Sequence, residues 1–120
     1  MQSRRTERVS DLLLHEIAQI LQKDVKDPRV GFVTLTAVRV SADLRVAKVR
    51  YTVLGDEATR QACVQGLRSA TSFIRREVGR RLRLRAVPDL QFIFDDTLEK
   101  TLHLQEMLEE LSHGPKEPDR

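Results

Sequence analysis

"VGFVTLTAVRVSADLRVAKVRYTVLG", residues 30–55, decides the fold class of this chain. It is rich in valine and threonine, and the turn-forming "SAD" at 41–43 interrupts it, so it reads as a β-hairpin. In the second run Ala47, Val49, Tyr51 and Val53 alternate with Lys48, Arg50 and Thr52, the pattern of a strand with one buried and one wet face. The first run shifts phase, from Val33 and Leu35 to Val38 and Val40. A bulge or a strand buried on both faces accounts for that shift.

Helical patterns flank the hairpin. Upstream, in "SRRTERVSDLLLHEIAQILQKDV" (3–25), Val9, Leu12, Leu13, Ile17, Ile20 and Leu21 form one apolar stripe. Asp27-Pro28 ends that helix, because proline cannot continue it and the preceding residue avoids helical backbone angles. Downstream, Ala58, Ala62, Leu67, Ala70, Ile74, Val78 and Leu82 carry a second stripe. The small polar run "SATS" (69–72) competes with the backbone for hydrogen bonds. It predicts two helical pieces with a kink near Thr71, the second ending at or soon after Gly79. Pro88 opens a short strand, "DLQFIFD" (89–95), in which Leu90, Phe92 and Phe94 share a face. Asp96 and Glu99 resemble a capping pair for a last helix whose apolar edge is Leu98, Leu102, Leu108 and Leu111. The order helix, strand, strand, kinked helix, strand, accessory helix predicts an α+β domain, with helices packed on one face of a three-stranded sheet. One domain over 1–111 is expected, followed by a polar, disordered tail over 112–120.

A chain of 120 residues suits one domain and can bury a core without disulfides or metal. The single cysteine, Cys63, cannot form an internal bridge, and no secretory signal or membrane-length apolar run is present. A cytoplasmic protein is the expectation. Net charge is only +3, but its distribution is uneven. Acids gather late, at Asp95, Asp96, Glu99, Glu106, Glu109 and Glu110, while basic residues gather at the start and in the segment 68–85. A basic surface opposed to an acidic one points toward nucleic acid.

Catalysis finds little support. His15, His103 and His113 form no ligand-spaced cluster with Cys63, and Cys63 reads as a quiet thiol beside Ala62 and Leu67. There is no nucleophile elbow and no glycine-rich phosphate loop. The arginines are the stronger lead. Between Arg68 and Arg85 stand seven arginines and one acid, Glu77. A helix face kept only for solubility would mix its signs and gain from opposite-charge pairs. Arg75, Arg76, Arg80, Arg81 and Arg83 are therefore expected to contact phosphates, since arginine binds them bidentately and keeps its charge. Arg4, Arg5 and Arg8 oppose the dipole of the first helix and join them, with Lys48 and Arg50 as secondary candidates. The single tyrosine and few aromatics argue against a base-stacking platform. An alternative is an adaptor whose basic face meets an acidic protein. A small nuclease is a third option, but it lacks an acid–base constellation.

These motifs together resemble the bacterial ribosome-binding factor A family. The resemblance runs from Arg5 to Leu108 and rests on "RTERV" (5–9), "DPR" (27–29), "VSADLRVAKVRYTVLG" (40–55) and "FIRREVGRRLRLRAVPDLQFIFD" (73–95) in that order. It implies a K-homology domain of type II topology (α-β-β-α-kink-α-β) with a C-terminal accessory helix. It also implies a non-catalytic factor that binds free or immature 30S subunits and 16S rRNA. The family supports late 16S maturation, including 5′-end processing, and matters most in the cold. The resemblance implies no cofactor, metal, membrane or small-molecule substrate, and a cytoplasmic monomer. Where many K-homology domains carry a Gly-x-x-Gly loop, this family has an Ala-x-Gly kink, matched here by Ala70, Thr71 and Ser72. Serine at 72 departs from that pattern, because glycine reaches left-handed angles that serine adopts only at a cost.

Overall fold

A computed structural model describes residues 3–113. Helix α1 spans Arg4–Gln19 and opens on Ser3, whose hydroxyl accepts the Thr6 N–H at 3.2 Å. It continues as a five-residue π-helical turn, Ile20–Asp24, closed by Val25 N–H donating to Ile20 O at 3.0 Å. The wider turn lets the consecutive Ile20 and Leu21 both reach the core. Asp27 and Pro28 stop the helix as expected, through a 3-10 turn over Pro28–Val30.

Strands β1 (Val33–Val40) and β2 (Val46–Val53) form the antiparallel hairpin, and β3 (Asp89–Phe94) pairs parallel to β2, giving the order β1-β2-β3. The phase shift in the first run is a bulge: the register slips between Leu35 and Ala37. Ala47, Val49, Tyr51 and Val53 are buried, while Lys48 and Arg50 stand on the open face. Their buried side meets Leu13, Ile17 and Ile20 from α1 and Cys63, Leu67, Ile74 and Val78 from helix α2 in one core. Burying such side chains stabilises the fold by roughly 1.5–3 kcal/mol each.

Helix α2 spans Glu57–Leu82 without interruption. The two helical pieces expected around Thr71 are thus a single element, a correction with a visible cause. The Thr71 hydroxyl donates back to Leu67 O at 2.8 Å, a bond within the helix that tends to bend it rather than end it. Among the described non-glycine residues only Leu44 and Arg83 have positive φ, so Ser72 sits on ordinary right-handed backbone. Replacing Ser72 by glycine is therefore expected to lower stability by about 0.5–1 kcal/mol in chemical denaturation. A gain would mean that the backbone at 72 is strained. Gly66 has a steric role, since a Cβ there would lie 2.9 Å from Val30 Cγ1 and 3.0 Å from Arg29 Cβ. Its absence lets α2 press onto the 3-10 turn.

Helix α3 covers Thr97–His113, two residues beyond the expected boundary at Leu111, and the rest of the expected tail lies outside the described residues. Asp96 holds the N-cap position, its carbonyl accepting Lys100 N–H at 2.9 Å, and Asp95 just before it accepts Thr97 N–H through Oδ1 at 3.0 Å. Asp95 also accepts the Thr36 hydroxyl at 2.7 Å, and these bonds from Thr97 and Thr36 hold its carboxyl down to about 2. Glu99 turns instead to Arg60, whose guanidinium lies 4.2 Å from the centre of the Phe94 ring.

Candidate nucleic-acid interface

The arginines that the sequence groups together are divided by the fold. Arg75 turns inward along the α2–β3 connection. Its Nε donates to Pro88 O at 3.1 Å, its Nη2 donates to Val87 O at 2.9 Å, and Asp89 lies 3.5 Å away. Arg81 faces three carboxylates, Asp24 at 2.6 Å, Glu77 at 3.4 Å and Glu16 at 3.7 Å. It ties α1 and its π-helical turn to α2, and the Asp24 bond raises its pKa further. Both side chains are engaged within the fold.

Arg76, Arg80 and Arg83 are exposed. The Arg76 guanidinium stands 6.0 Å from the centre of the Phe73 ring, so its stem lies against an apolar surface while its charge faces water. Arg80 pairs with Glu77 at 2.7 Å but keeps 67% of its side chain exposed, so the pair holds it only loosely. That bond, first among its causes, keeps the Glu77 carboxyl below the ordinary range.

Arg83 caps α2 with φ 53 and ψ 42, the left-handed conformation that glycine usually fills. The left-handed backbone costs an arginine more than a glycine, and its charge at the helix C-terminus offsets part of that cost through the dipole. Changing Arg83 to glycine should raise stability by about 1 kcal/mol in a thermal melt. The same change should weaken binding to an RNA probe if the cation is functional.

The fold also joins residues far apart in sequence. Arg5 from α1, Arg45 beside the hairpin turn and Arg85 from the α2–β3 connection line one cleft of about 520 Å³. Asp43 and Asp89 line it too, and Asp43 approaches Arg45 only to 4.0 Å. Arg5 and Arg85 have no ion pair among the described residues. This cleft brings part of the N-terminal cluster to the end of the arginine run. Arg4 and Arg8 stand exposed on the same first turns of α1.

Lys48 and Arg50 do not join that surface. They lie on the open face of the sheet, with the core between them and α2. There Arg39 is registered directly across from Lys48, and the next β1–β2 pair on that face is Ala37 with Arg50. Like charges opposite each other weaken a sheet, so this second basic surface is also not explained by folding. Arg39, Arg45, Arg68 and Arg85 are the cations that sequence reasoning left out of the site. Arg68 and Thr71 share a shallow groove of about 150 Å³ with Leu90 and Phe92 on the free edge of β3. The only sequence signal for Arg39 was its alternation with the apolar Val38 and Val40.

Little else among the described residues is arranged for chemistry. Cys63 is buried, its thiol donates to Arg29 O at 2.9 Å, and burial pushes its pKa up. Among the described residues no group of three or more His, Cys, Asp or Glu side chains is arranged to hold a metal ion. No described helix is long and apolar enough to cross a membrane.

The α-β-β-α-β order, the mixed three-stranded sheet and the helices on one face define a K-homology-like domain, here with an arginine-rich helix and an added C-terminal helix. The sequence model of the ribosome-binding factor A family matches residues 5–108. Ribosome-binding factor A of Thioalkalivibrio sulfidiphilus is 50% identical over 105 residues, which cover 88% of this chain and 81% of that protein. The crystal structure of ribosome-binding factor A from Thermus thermophilus superposes with a TM-score of 0.65 at 27% identity, covering 73% of this chain and 93% of that one. A homology model of Thermus thermophilus ribosome binding factor A, fitted into the cryo-EM map of a 30S complex, gives a TM-score of 0.58 at 25% identity, covering 80% of this chain and 97% of that one. The chain belongs to the ribosome-binding factor A family.

Proposed function

We propose that this protein is a non-catalytic ribosome-assembly factor that binds the free or immature 30S subunit and contacts 16S rRNA. The observation that carries the reading is the set of exposed cations Arg76, Arg80 and Arg83, extended by the Arg5–Arg45–Arg85 cleft. These groups meet a polyanion without first breaking strong internal bonds. A Thermus relative fitted, as a homology model, into the cryo-EM map of a 30S complex supports the choice of particle. Contacts are to phosphate and shape, since the surface offers no row of exposed aromatics among the described residues. Arg4 and Arg8 add charge at one end, and Lys48, Arg50 and Arg39 offer a separate, secondary surface. Arg75 and Arg81 contribute by holding the helix in place. Ala70, Thr71 and Ser72 keep α2 continuous along this surface. The factor acts as a cytoplasmic monomer, one domain through residue 111. It supports late 16S maturation, including 5′-end processing, most of all in the cold.

Sedimentation of the protein with purified 30S subunits and with protein-free 16S rRNA, at low and moderate salt, tests the reading. Each neutralised phosphate releases counterions, so affinity for both should fall steeply as salt rises. Affinity that hardly responds to salt would remove the arginine surface from the account. Binding to 30S without any binding to protein-free rRNA would favour an adaptor on an acidic protein instead.

A further inference from the structure

Helix α3 presents an amphipathic surface that the described residues leave uncovered. Leu104, Met107, Leu108 and Leu111 recur at three-, four- and seven-residue intervals, one stripe along the helix, and are 46–76% exposed. On the opposite face stand Glu99, Glu106 and Glu109 with the exposed Leu102, while Glu110 borders the stripe. Glu99 is held by Arg60, whereas Glu106, Glu109 and Glu110 have no ion pair among the described residues.

Two features of this helix make it costly to keep alone. A helix of this length is marginal in water without a packed face. Glutamates near its C-terminal end also oppose the helix dipole. A basic partner with an apolar stripe covers the leucines and meets the negative field of the helix. Charge rules on the alternatives. Four glutamates against one lysine in α3 repel RNA phosphates and repel a second α3 alike.

We infer that the Leu104–Leu111 stripe of α3, bordered by Glu110 on a negatively charged helix, docks a basic amphipathic protein segment exposed on the small ribosomal subunit. The inference rests on the proposed function and divides its work: the arginine surface meets RNA, while α3 meets a protein of the same particle. Such a mode follows the helix-in-groove pattern, with anchors at i, i+3, i+4 and i+7.

The test uses the full chain, with L104Q/M107Q/L108Q in one variant and E106Q/E109Q/E110Q in another. Affinity is measured for purified 30S subunits and for protein-free 16S rRNA at the same salt. The first variant should bind subunits ~10-fold or more weakly and protein-free rRNA within ~2-fold of the parent. The second should also bind subunits less tightly, without losing affinity for rRNA. Circular dichroism should show both variants folded, since every replaced side chain is exposed. Unchanged subunit binding, or equal losses on both probes, would overturn the inference. So would sedimentation equilibrium showing a parent dimer abolished by the first variant, which would make a second copy the occupant. A parent that binds neither probe would remove the proposed function along with it. A parent that binds both, with variants that track it, would remove only the α3 inference.

Discussion

Replacing Arg76 and Arg80 together by glutamate is expected to reduce affinity for protein-free 16S rRNA by ~100-fold or more at moderate salt. Both side chains are exposed on α2, and neither bridges two elements of the fold. Reversal removes two cations and adds two anions beside the phosphates, so the loss exceeds that of neutralisation. The slope of log affinity against log salt should shrink by ~1.4–1.8, the counterions of two phosphate contacts. Far-UV circular dichroism should be unchanged, because neither residue lies in the core. Filter binding across a salt series reads affinity and slope in one experiment. A double variant that binds normally would move the interface to another surface, with the Arg5–Arg45–Arg85 cleft the next candidate.

Arg75, one residue away from Arg76, should behave in the opposite way. Its two bonds to Val87 O and Pro88 O close the connection between α2 and β3, and each is a charged donor on a carbonyl. Such bonds contribute about 1.5–3 kcal/mol each when well shielded. The side chain is 40% exposed, so Arg75→Ala is expected to cost about 2 kcal/mol in total. That corresponds to a thermal midpoint roughly 8 °C lower for a domain of this size. Arg75→Lys keeps the charge but loses the fork, and should recover less than half of the difference. Below its midpoint the alanine variant should bind rRNA far better than R76E/R80E. If instead it loses binding at full stability, Arg75 leaves the loop to meet the ligand.

Periodicity carried most of the fold. The hairpin, α1 and the last strand follow from which apolar residues share a face, whereas the apolar edge expected for the accessory helix is not a single stripe. The phase shift at Leu35 left a bulge and a doubly buried strand open, and the register decided for the bulge. The break at "SATS" did not follow, because propensity registers only that Thr71 competes with the backbone. In the folded helix its hydroxyl reaches Leu67 O and the competition ends within one turn. At the start of α3 the sequence placed the cap at Asp96 but did not show that the preceding Asp95 also bonds the first turn, at Thr97. Asp95 and Asp96 are alike in sequence, and it is the approach of Thr36 from β1 that holds Asp95.

The sequence by itself determined that this chain forms an α+β domain, that it carries an excess of arginine on one helix, and that its acids gather on another. Local periodicity and charge are properties of neighbouring residues, and they survive whatever the rest of the chain does. Only the tertiary structure decided which arginines are available. Arg75, Arg76 and Arg81 are chemically identical, and what separates them is the group each meets: loop carbonyls, water beside Phe73, or Asp24 from a segment 57 residues earlier. A guanidinium bonded to a fixed carboxylate or carbonyl must break that bond before it can hold a phosphate, while one facing water need only shed solvent. That difference lies in long-range packing, which residue spacing does not record.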